Sequence, residues 1–356
     1  MSSSTTGSQI VIVGAGIIGL DVALVLAEQG FGRHITIVAE YLPGDTHHSY
    51  TSPWAGCNFS AISGTDPNAL KWDRAGYAHL ARLASRNSEE SFVQRTPSIE
   101  FWDSHVPHDK ISTMAEYLED FQVLPLSELP AGTKFGVSFT TFTINAPKHI
   151  VYLRKYLQHT HGVTFTRRRL PSIQAAYSNP ATRLVFNCTG NAASDLPGVA
   201  DPKCYPTRGQ VLLAHAPAVK TNMMRHGDNY ETYIIPRPLS GGHAILGGFM
   251  QKGNDDAATY GDETKDIISR VGGLGTEIAE HDFDVLAAFS GLRPSREGGA
   301  RVERDAVVVA GVRRPIIHNY GAGGTGYQAG YGMAVDAIRL ADDVLGNIRG
   351  EARARL

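Results

Sequence analysis

The stretch Gln9-Ile-Val-Ile-Val-Gly-Ala-Gly-Ile-Ile-Gly-Leu20 decides how the chain begins to fold. After Gln9 come four β-branched residues, too few for a helix, so they read as a short buried strand. Gly14, Gly16 and Gly19 then follow in the spacing GxGxxG. Leu20, Ala23, Leu24 and Ala27 recur at helical intervals as far as Gln29, and Gly30 stops the helix they predict. A second β-rich block, Ile35-Thr-Ile-Val38, runs into Ala39 and Glu40. Residues 9 to 40 thus form strand, glycine turn, helix and strand in about thirty residues, the length of one βαβ unit. Gly14 permits the sharp turn, Gly16 admits a pyrophosphate, and Gly19 lets helix and strand close on each other. Gly14, Ala15, Gly16, Ile17, Ile18 and Gly19 are therefore read as a phosphate cradle at a helix N-terminus. Glu40 stands where a carboxylate hydrogen-bonds the ribose of an adenosine. A negative charge there argues against a 2′-phosphate, so NADP is disfavoured while FAD and NAD both remain open.

The rest of the composition narrows the class. With 356 residues, 42% hydrophobic and 19% charged, the chain can bury one large core or two medium ones. Lys+Arg 33 against Asp+Glu 35 leaves a net charge of -2, the wrong balance for neutralising phosphates, so no nucleic-acid partner is expected. Cys57, Cys188 and Cys204 form no CxxC pair, which suggests neither a disulfide framework nor structural zinc and fits a reducing intracellular compartment. His47 and His48 are adjacent, point apart and lack a third ligand, so no metal is expected. Arg167-Arg-Arg169 reads as a solvated strand end. No apolar run reaches membrane-spanning length and residues 1–8 lack a secretory signal, so a soluble, non-secreted protein without a membrane partner is expected.

Beyond the first unit, Tyr41 to Phe59 reads as a long ordered loop, and such loops are usually functional. Helices are predicted over Ala69–Ser85, Ile111–Phe121 and Lys148–His159, and a buried strand in Arg183–Gly190. Strands at Val211–Ala214, Tyr233–Pro236 and Ala244–Phe249 favour a second, antiparallel sheet. A loop at Gly291–Gly299, a strand at Ala306–Ala310 and a helix at Met333–Leu345 complete the chain. Glycine, 38 residues, clusters instead of repeating. Thr51-Ser-Pro-Trp-Ala-Gly-Cys-Asn58, Phe186-Asn-Cys-Thr-Gly190 and Gly321-Ala-Gly-Gly-Thr-Gly-Tyr-Gln328 suggest a ligand enclosed along its whole length. The last would aim a positive helix end at an anionic group, in a flavoenzyme the N1/C2=O edge of the ring.

Val11-Ile-Val-Gly-Ala-Gly-Ile-Ile-Gly19, Ser52-Pro-Trp-Ala-Gly56, Asn187-Cys-Thr-Gly190, Tyr205-Pro-Thr-Arg-Gly-Gln210, Tyr233-Ile-Ile-Pro236, Gly291-Leu-Arg-Pro294 and His318-Asn-Tyr-Gly-Ala-Gly-Gly-Thr-Gly326 together resemble the D-amino-acid oxidase family, particularly its fungal members. The resemblance runs from about residue 9 to 345. It implies an α/β fold in which a Rossmann-like FAD-binding domain, residues 1–59, 140–200 and 285–356, is interleaved with an α+β substrate domain on an antiparallel sheet, residues 60–139 and 201–284. It implies non-covalent FAD. It also implies that Arg293 and Tyr233 hold a substrate carboxylate, a pairing the chemistry favours because a planar guanidinium matches a carboxylate. By the same carry-over the Gly324 carbonyl and the Gln328 region face the substrate amine. Gly326, Tyr327 and Gln328 line the flavin O2 edge, while Gly56, Cys57 and Asn58 lie against the ring. Thr51, beside Ser52, meets a phosphate, Leu170 the adenine, and Thr189 with Gly190 a further part of FAD. Cys57 and Cys188 are packing residues, since hydride transfer leaves the chemistry to the cofactor.

The implied activity is oxidative deamination of neutral D-amino acids to 2-oxo acids, ammonia and hydrogen peroxide, with O2 as acceptor and the Cα hydrogen passing to flavin N5. D-aspartate oxidases, the sister family, are the alternative; an NAD-dependent dehydrogenase, supported by the first βαβ unit alone, and an inert flavin-binding module are more remote. Asn58 and Met250 occupy positions where D-aspartate oxidases tend to carry cationic groups, which favours neutral substrates. Arg225 is the reservation, because the segment 222–230 reads as a mobile cover from which it could swing inward. Met223, Met224 and Met250 suit either a side-chain pocket or plain core filling. The tail Ala354-Arg355-Leu356 fits a peroxisomal address read by an import receptor. The connection Gly311–Pro315 is too short for a dimerising arm, so a monomer or a homodimer through another surface is expected.

Overall fold

A computed structural model describes residues 9–60, 62–63, 66–227, 230–274 and 283–353, without the side chains of 352 and 353. The tail read as a peroxisomal address lies outside the described residues, as do residues 228–229 of the expected cover. The strands are β1 Ile10–Val13, β2 Ile35–Ala39, β3 Val93–Trp102, β4 Glu119–Val123, β5 Phe135–Ile144, β6 Thr164–Arg167, β7 Leu184–Asn187, β8 Cys204–His215, β9 Asn222–His226, β10 Glu231–Pro236, β11 His243–Gly247, β12 Gln251–Lys252, β13 Asp284–Arg296, β14 Arg301–Val309 and β15 Val312–Tyr320. The helices are α1 Ile17–Glu28, α2 Pro67–Arg86, α3 Ser88–Ser91, α4 His108–Tyr117, α5 Ala146–His161, α6 Gly261–Gly272, α7 Gly326–Arg339 and α8 Asp342–Arg353.

Six strands form the first sheet in the order β14-β15-β7-β1-β2-β6, parallel except for the β14–β15 hairpin. From β1 the chain steps to β2 and β6 on one side, then returns to β7 on the other. The crevice at the carboxyl ends of β1 and β7 is therefore the topological switch point, where open α/β sheets bind their ligands. The buried apolar side chains of α1, α5, α7 and α8 pack with this sheet into the largest core cluster, which explains why β1 and β7 read as unbroken apolar runs.

The second sheet runs β12-β8-β11-β10-β9-β3-β5-β4, with β13 also paired to β8. Its pairs are antiparallel except β3 with β9. One face packs on α6 through Phe101, Leu212, Met223, Ile234, Leu246, Ile267 and Val271. The other face turns toward the first sheet, since the Trp54 ring lies 5.1 Å from that of Phe289 and Thr51 Oγ1 donates to the Leu292 carbonyl at 2.6 Å.

Several elements differ from the sequence expectation. α1 starts at Ile17, not Leu20, and Ser52 Oγ accepts from the Ile17 N–H at 2.9 Å, satisfying one donor of the first turn. The helix expected over Ile111–Phe121 ends at Tyr117; Glu119 N–H donates to Tyr77 Oη at 3.0 Å and the chain enters β4. Gly291–Gly299 is not a loop. Gly291 to Arg296 continue β13, an edge strand that tolerates Pro294, which stands opposite Pro206 of β8. The helix expected over Met333–Leu345 is two helices, and Arg304 fixes the break by donating to the Leu340 carbonyl at 3.1 Å and to Asp343 at 2.6 Å. The connection between β14 and β15 is only Ala310-Gly311, with φ of 48° and 80°, a two-residue turn. Sheet membership divides the chain after β5, near residue 145, and again after β13, near residue 297, where the sequence drew 140 and 285.

Candidate active site

Gly14 leaves β1 with φ +110°, a conformation only glycine adopts easily, and a Cβ there would lie 2.3 Å from the Cys188 carbonyl oxygen. The turn thereby brings the ends of β1 and β7 together. Neither α1 nor α7 has a side-chain cap from its N-cap residue or an acidic residue in its first turn, so apart from the Ile17 N–H taken by Ser52 both keep a positive end. The two starts converge: a Cβ on Gly326 would stand 3.5 Å from the Ile17 side chain. Tyr50 Oη donates to the Ala15 carbonyl at 2.6 Å, and Tyr327 Oη to the Ser52 carbonyl at 2.9 Å. Arg237 adds a guanidinium within electrostatic reach of Cys57 and Tyr327, with Nε and Nη2 buried and unpartnered among the described residues. Two positive helix starts around a glycine cradle, with an unpaired cation nearby, fit a long anionic ligand such as a dinucleotide. Burial pushes the Cys57 and Cys188 thiols well up, which suits packing residues and not nucleophiles.

Arg293 projects from β13 opposite Thr207 of β8. Its Nη1 donates to the Phe249 carbonyl at 3.0 Å, and a Cβ on the neighbouring Gly209 would come within 2.2 Å of that nitrogen. Glycine is thus required beside the fork. Tyr233 on β10 faces the same guanidinium; burial raises the phenol pKa and Arg293 opposes the rise. A Cβ on Gly324 would lie 3.7 Å from Arg293 Cδ and 3.8 Å from Nε. The turn that opens α7 therefore borders the Arg293–Tyr233 pair.

Register places Tyr233 in a row of cross-strand neighbours. Phe289, Val211, Gly247, Tyr233, Met224 and Glu100 stand side by side across β13, β8, β11, β10, β9 and β3, all on the face turned toward the first sheet. Asn58 Nδ2 reaches Met224 Sδ at 3.0 Å and closes the wall above them. Glu100 is fully buried, and its Oε2 accepts from Ser60 Oγ at 2.9 Å and lies 3.0 Å from His226 Nε2. His226 Nδ1 stands 3.3 Å from Glu231. Burial lowers the His226 pKa, but hydrogen bonds to Glu100 and Glu231 outweigh it and carry it up to about 9. Sequence reasoning found none of these three residues, nor Tyr50 or Asp73, because each has a partner remote in sequence.

Other expected residues are placed differently. The Gln328 amide is buried and committed away from a substrate amine: Nε2 donates to Asp73 Oδ1 at 3.1 Å and Oε1 accepts from Ser60 N–H at 3.2 Å. Burial pushes the Asp73 carboxyl up to about 6. Arg225 does not swing inward; it lies one residue off the row, on the opposite face of β9, and pairs with Asp103 at 2.8 Å. Met250 is exposed, 47%, outside the core. Thr51 gives its hydroxyl hydrogen to Leu292, leaving only its lone pairs for a ligand donor. Thr189 donates to Asn187 Oδ1 at 2.8 Å, and a Cβ on Gly190 would pack on Pro294. Leu170 is buried with Val11, Val13 and Val38 beneath the switch point. Glu40 stays at the rim, 3.7 Å from Arg169. Gly56 packs under Tyr233, Ile235 and Ile245. No group of three or more metal-ligating side chains occurs, and no helix is long and apolar enough to cross a membrane, among the described residues.

Residues 9–340 match the model of the DAO family, FAD dependent oxidoreductase. A D-amino-acid oxidase of Schizosaccharomyces pombe is 45% identical over 346 residues, 96% of this chain and 98% of that protein. A D-aspartate oxidase of Talaromyces thermophilus is 29% identical and covers 98% of both chains. Among solved structures, a glycine oxidase from Geobacillus kaustophilus superposes with a TM-score of 0.70 at 19% identity, covering 94% of each chain, which shows the shared fold.

Proposed function

The chain belongs to the DAO family of FAD-dependent oxidoreductases, and from that premise we propose that it oxidatively deaminates neutral D-amino acids to 2-oxo acids and ammonia. The cradle of Gly14–Gly19 and the two helix starts would hold FAD without a covalent bond, and when bound it would supply the two-electron acceptor whose reoxidation by oxygen yields hydrogen peroxide. The protein's own part is placement. Arg293 grips the substrate carboxylate with the guanidinium N–H groups not spent on Phe249, and Tyr233 Oη donates a third hydrogen bond. The Gly324 carbonyl, beside that fork, accepts from the substrate amine and fixes which face of Cα is presented. Met224 and Asn58 wall the pocket and exclude water from the reacting carbon.

The observation that carries this reading is the meeting of the Arg293–Tyr233 pair with the turn that opens α7: the carboxylate anchor and the helix start aimed at the cofactor share one border at Gly324. Arg225 is bound to Asp103 on the far face and does not offer its charge to an acidic side chain, which disfavours the D-aspartate reading. The two-residue hairpin at Ala310-Gly311 supports a monomer, or a dimer built through another surface. The test is an oxygen-electrode and peroxide assay on FAD-loaded protein with the two enantiomers of alanine and aspartate. D-alanine should consume oxygen and L-alanine should not. A protein that binds FAD yet oxidises no D-amino acid overturns the reading.

A further inference from the structure

We propose that Glu100 is a specificity-determining residue, a buried carboxylate standing behind Met224 that turns acidic D-amino acids away and favours side chains that donate hydrogen bonds. The inference rests on the oxidase reading above and extends it to the side-chain end of the pocket.

Glu100, Met224 and Tyr233 are cross-strand neighbours on one face of the sheet, so Glu100 lies two strand spacings, about 10 Å, from the tyrosine that meets the substrate carboxylate. Only Met224 separates them in the row, and methionine supplies no screening charge. Glu100 is 0% exposed. Its Oε2 is engaged by Ser60 and His226, while Oε1 has no partner among the described residues. Asn222 Oδ1 and Asp73 Oδ2 are likewise buried without partners, and all three orphan atoms are acceptors. A substrate amide, hydroxyl or ammonium brings donors to such a surface. A second carboxylate brings only more acceptors.

The charges point the same way. His226 is shared between Glu100 and Glu231, so that trio keeps a net negative charge even with the imidazole protonated. Lys110 and Asp73 also lie within electrostatic reach of this group. With every group ionised, three carboxylates face two cations. Arg225, the nearest arginine on β9, cannot redress the balance because it projects from the other face and pairs with Asp103. At about 10 Å in a partly polar interior, one unbalanced unit charge discriminates by about tenfold.

The experiment compares the isosteres D-aspartate and D-asparagine, which differ at the side-chain end by one charge, with FAD-loaded wild type and Glu100→Gln at pH 8. D-asparagine is the internal reference that absorbs any general loss of activity. The D-aspartate to D-asparagine ratio of kcat/KM should rise about tenfold in the variant, through a lower KM for D-aspartate. His226→Gln removes the compensating cation and should move the ratio the opposite way, so the proposal stays testable if Glu100→Gln does not fold. A ratio within twofold of wild type in whichever variants fold, with D-asparagine still turned over, overturns the role of Glu100 and leaves the oxidase reading standing. A wild type that oxidises neither D-alanine nor D-asparagine overturns the oxidase reading itself.

Discussion

At the carboxyl ends of β1 and β7 most of the polar groups available to a ligand are backbone: the turn at Gly14 and the starts of α1 and α7. Across the pocket, the face of the second sheet carries charged side chains, the buried Glu100 and His226 and the part-buried Arg293 among them. The first region obtains its positive potential from helix ends that cannot titrate. The second depends on groups whose charge must be balanced by partners, and so it should respond to single substitutions and to pH far more sharply.

The largest expected effect is in the second region. Arg293→Ala removes the carboxylate fork, and loss of one member of a buried charge pair typically costs several kcal/mol, so kcat/KM for D-alanine should fall about a thousandfold. Flavin absorbance and the affinity for FAD should remain near wild type, because Arg293 belongs to the substrate sheet. If the variant loses FAD together with activity, the two regions are not separable and the contrast between them fails.

The second prediction exploits the titratable pair. The folded pKa of His226, about 9, lies above the ordinary 6.5 of an unfolded histidine. A raised histidine contributes stability that is fully present below about pH 6.5 and is lost as pH rises through about 9. Urea unfolding should therefore show His226→Gln destabilised by about 2 kcal/mol at pH 6. The gap to wild type should narrow by pH 10. A constant gap across that range would mean His226 acts by packing on Trp102, whose ring centroid stands 4.7 Å away, and not by charge.

The same division explains what could be read from the sequence. The first βαβ unit is legible because its strand, turn and helix signals are contiguous and its glycines are fixed by steric needs within thirty residues. Arg293 and Tyr233 surfaced only through a resemblance of short motifs. Ser60 and Gln328 meet across 268 positions and Glu100 and His226 across 126, distances over which no periodicity carries information. Gly291 and Pro294 hid β13, since both residues signal a loop locally, and only pairing along β8 makes them strand. Arg225 stayed a reservation for a related reason: alternation along β9 sets its face, and Asp103, far back in the chain, holds it there.

The smallest expected effect probes the acidic side chain assigned to the first region's ligand. Glu40 is half-exposed at the end of β2, and its contact with Arg169 is 3.7 Å between side chains that are 42% and 80% exposed. Exposed pairs of this kind contribute between zero and about 1 kcal/mol, so Glu40→Ala should leave the unfolding free energy of the apoprotein within about 0.5 kcal/mol of wild type. Its effect should appear only on the adenosine. A lost hydrogen bond to a charged acceptor at a rim position weakens FAD by about tenfold, read as quenching of flavin fluorescence on titration into apoprotein. FMN lacks the adenosine, so its affinity should not change. An equal loss for FMN would place Glu40 near the flavin end, and a drop in apoprotein stability above 1 kcal/mol would make it a structural charge like those of the second sheet, erasing the contrast at its most exposed point.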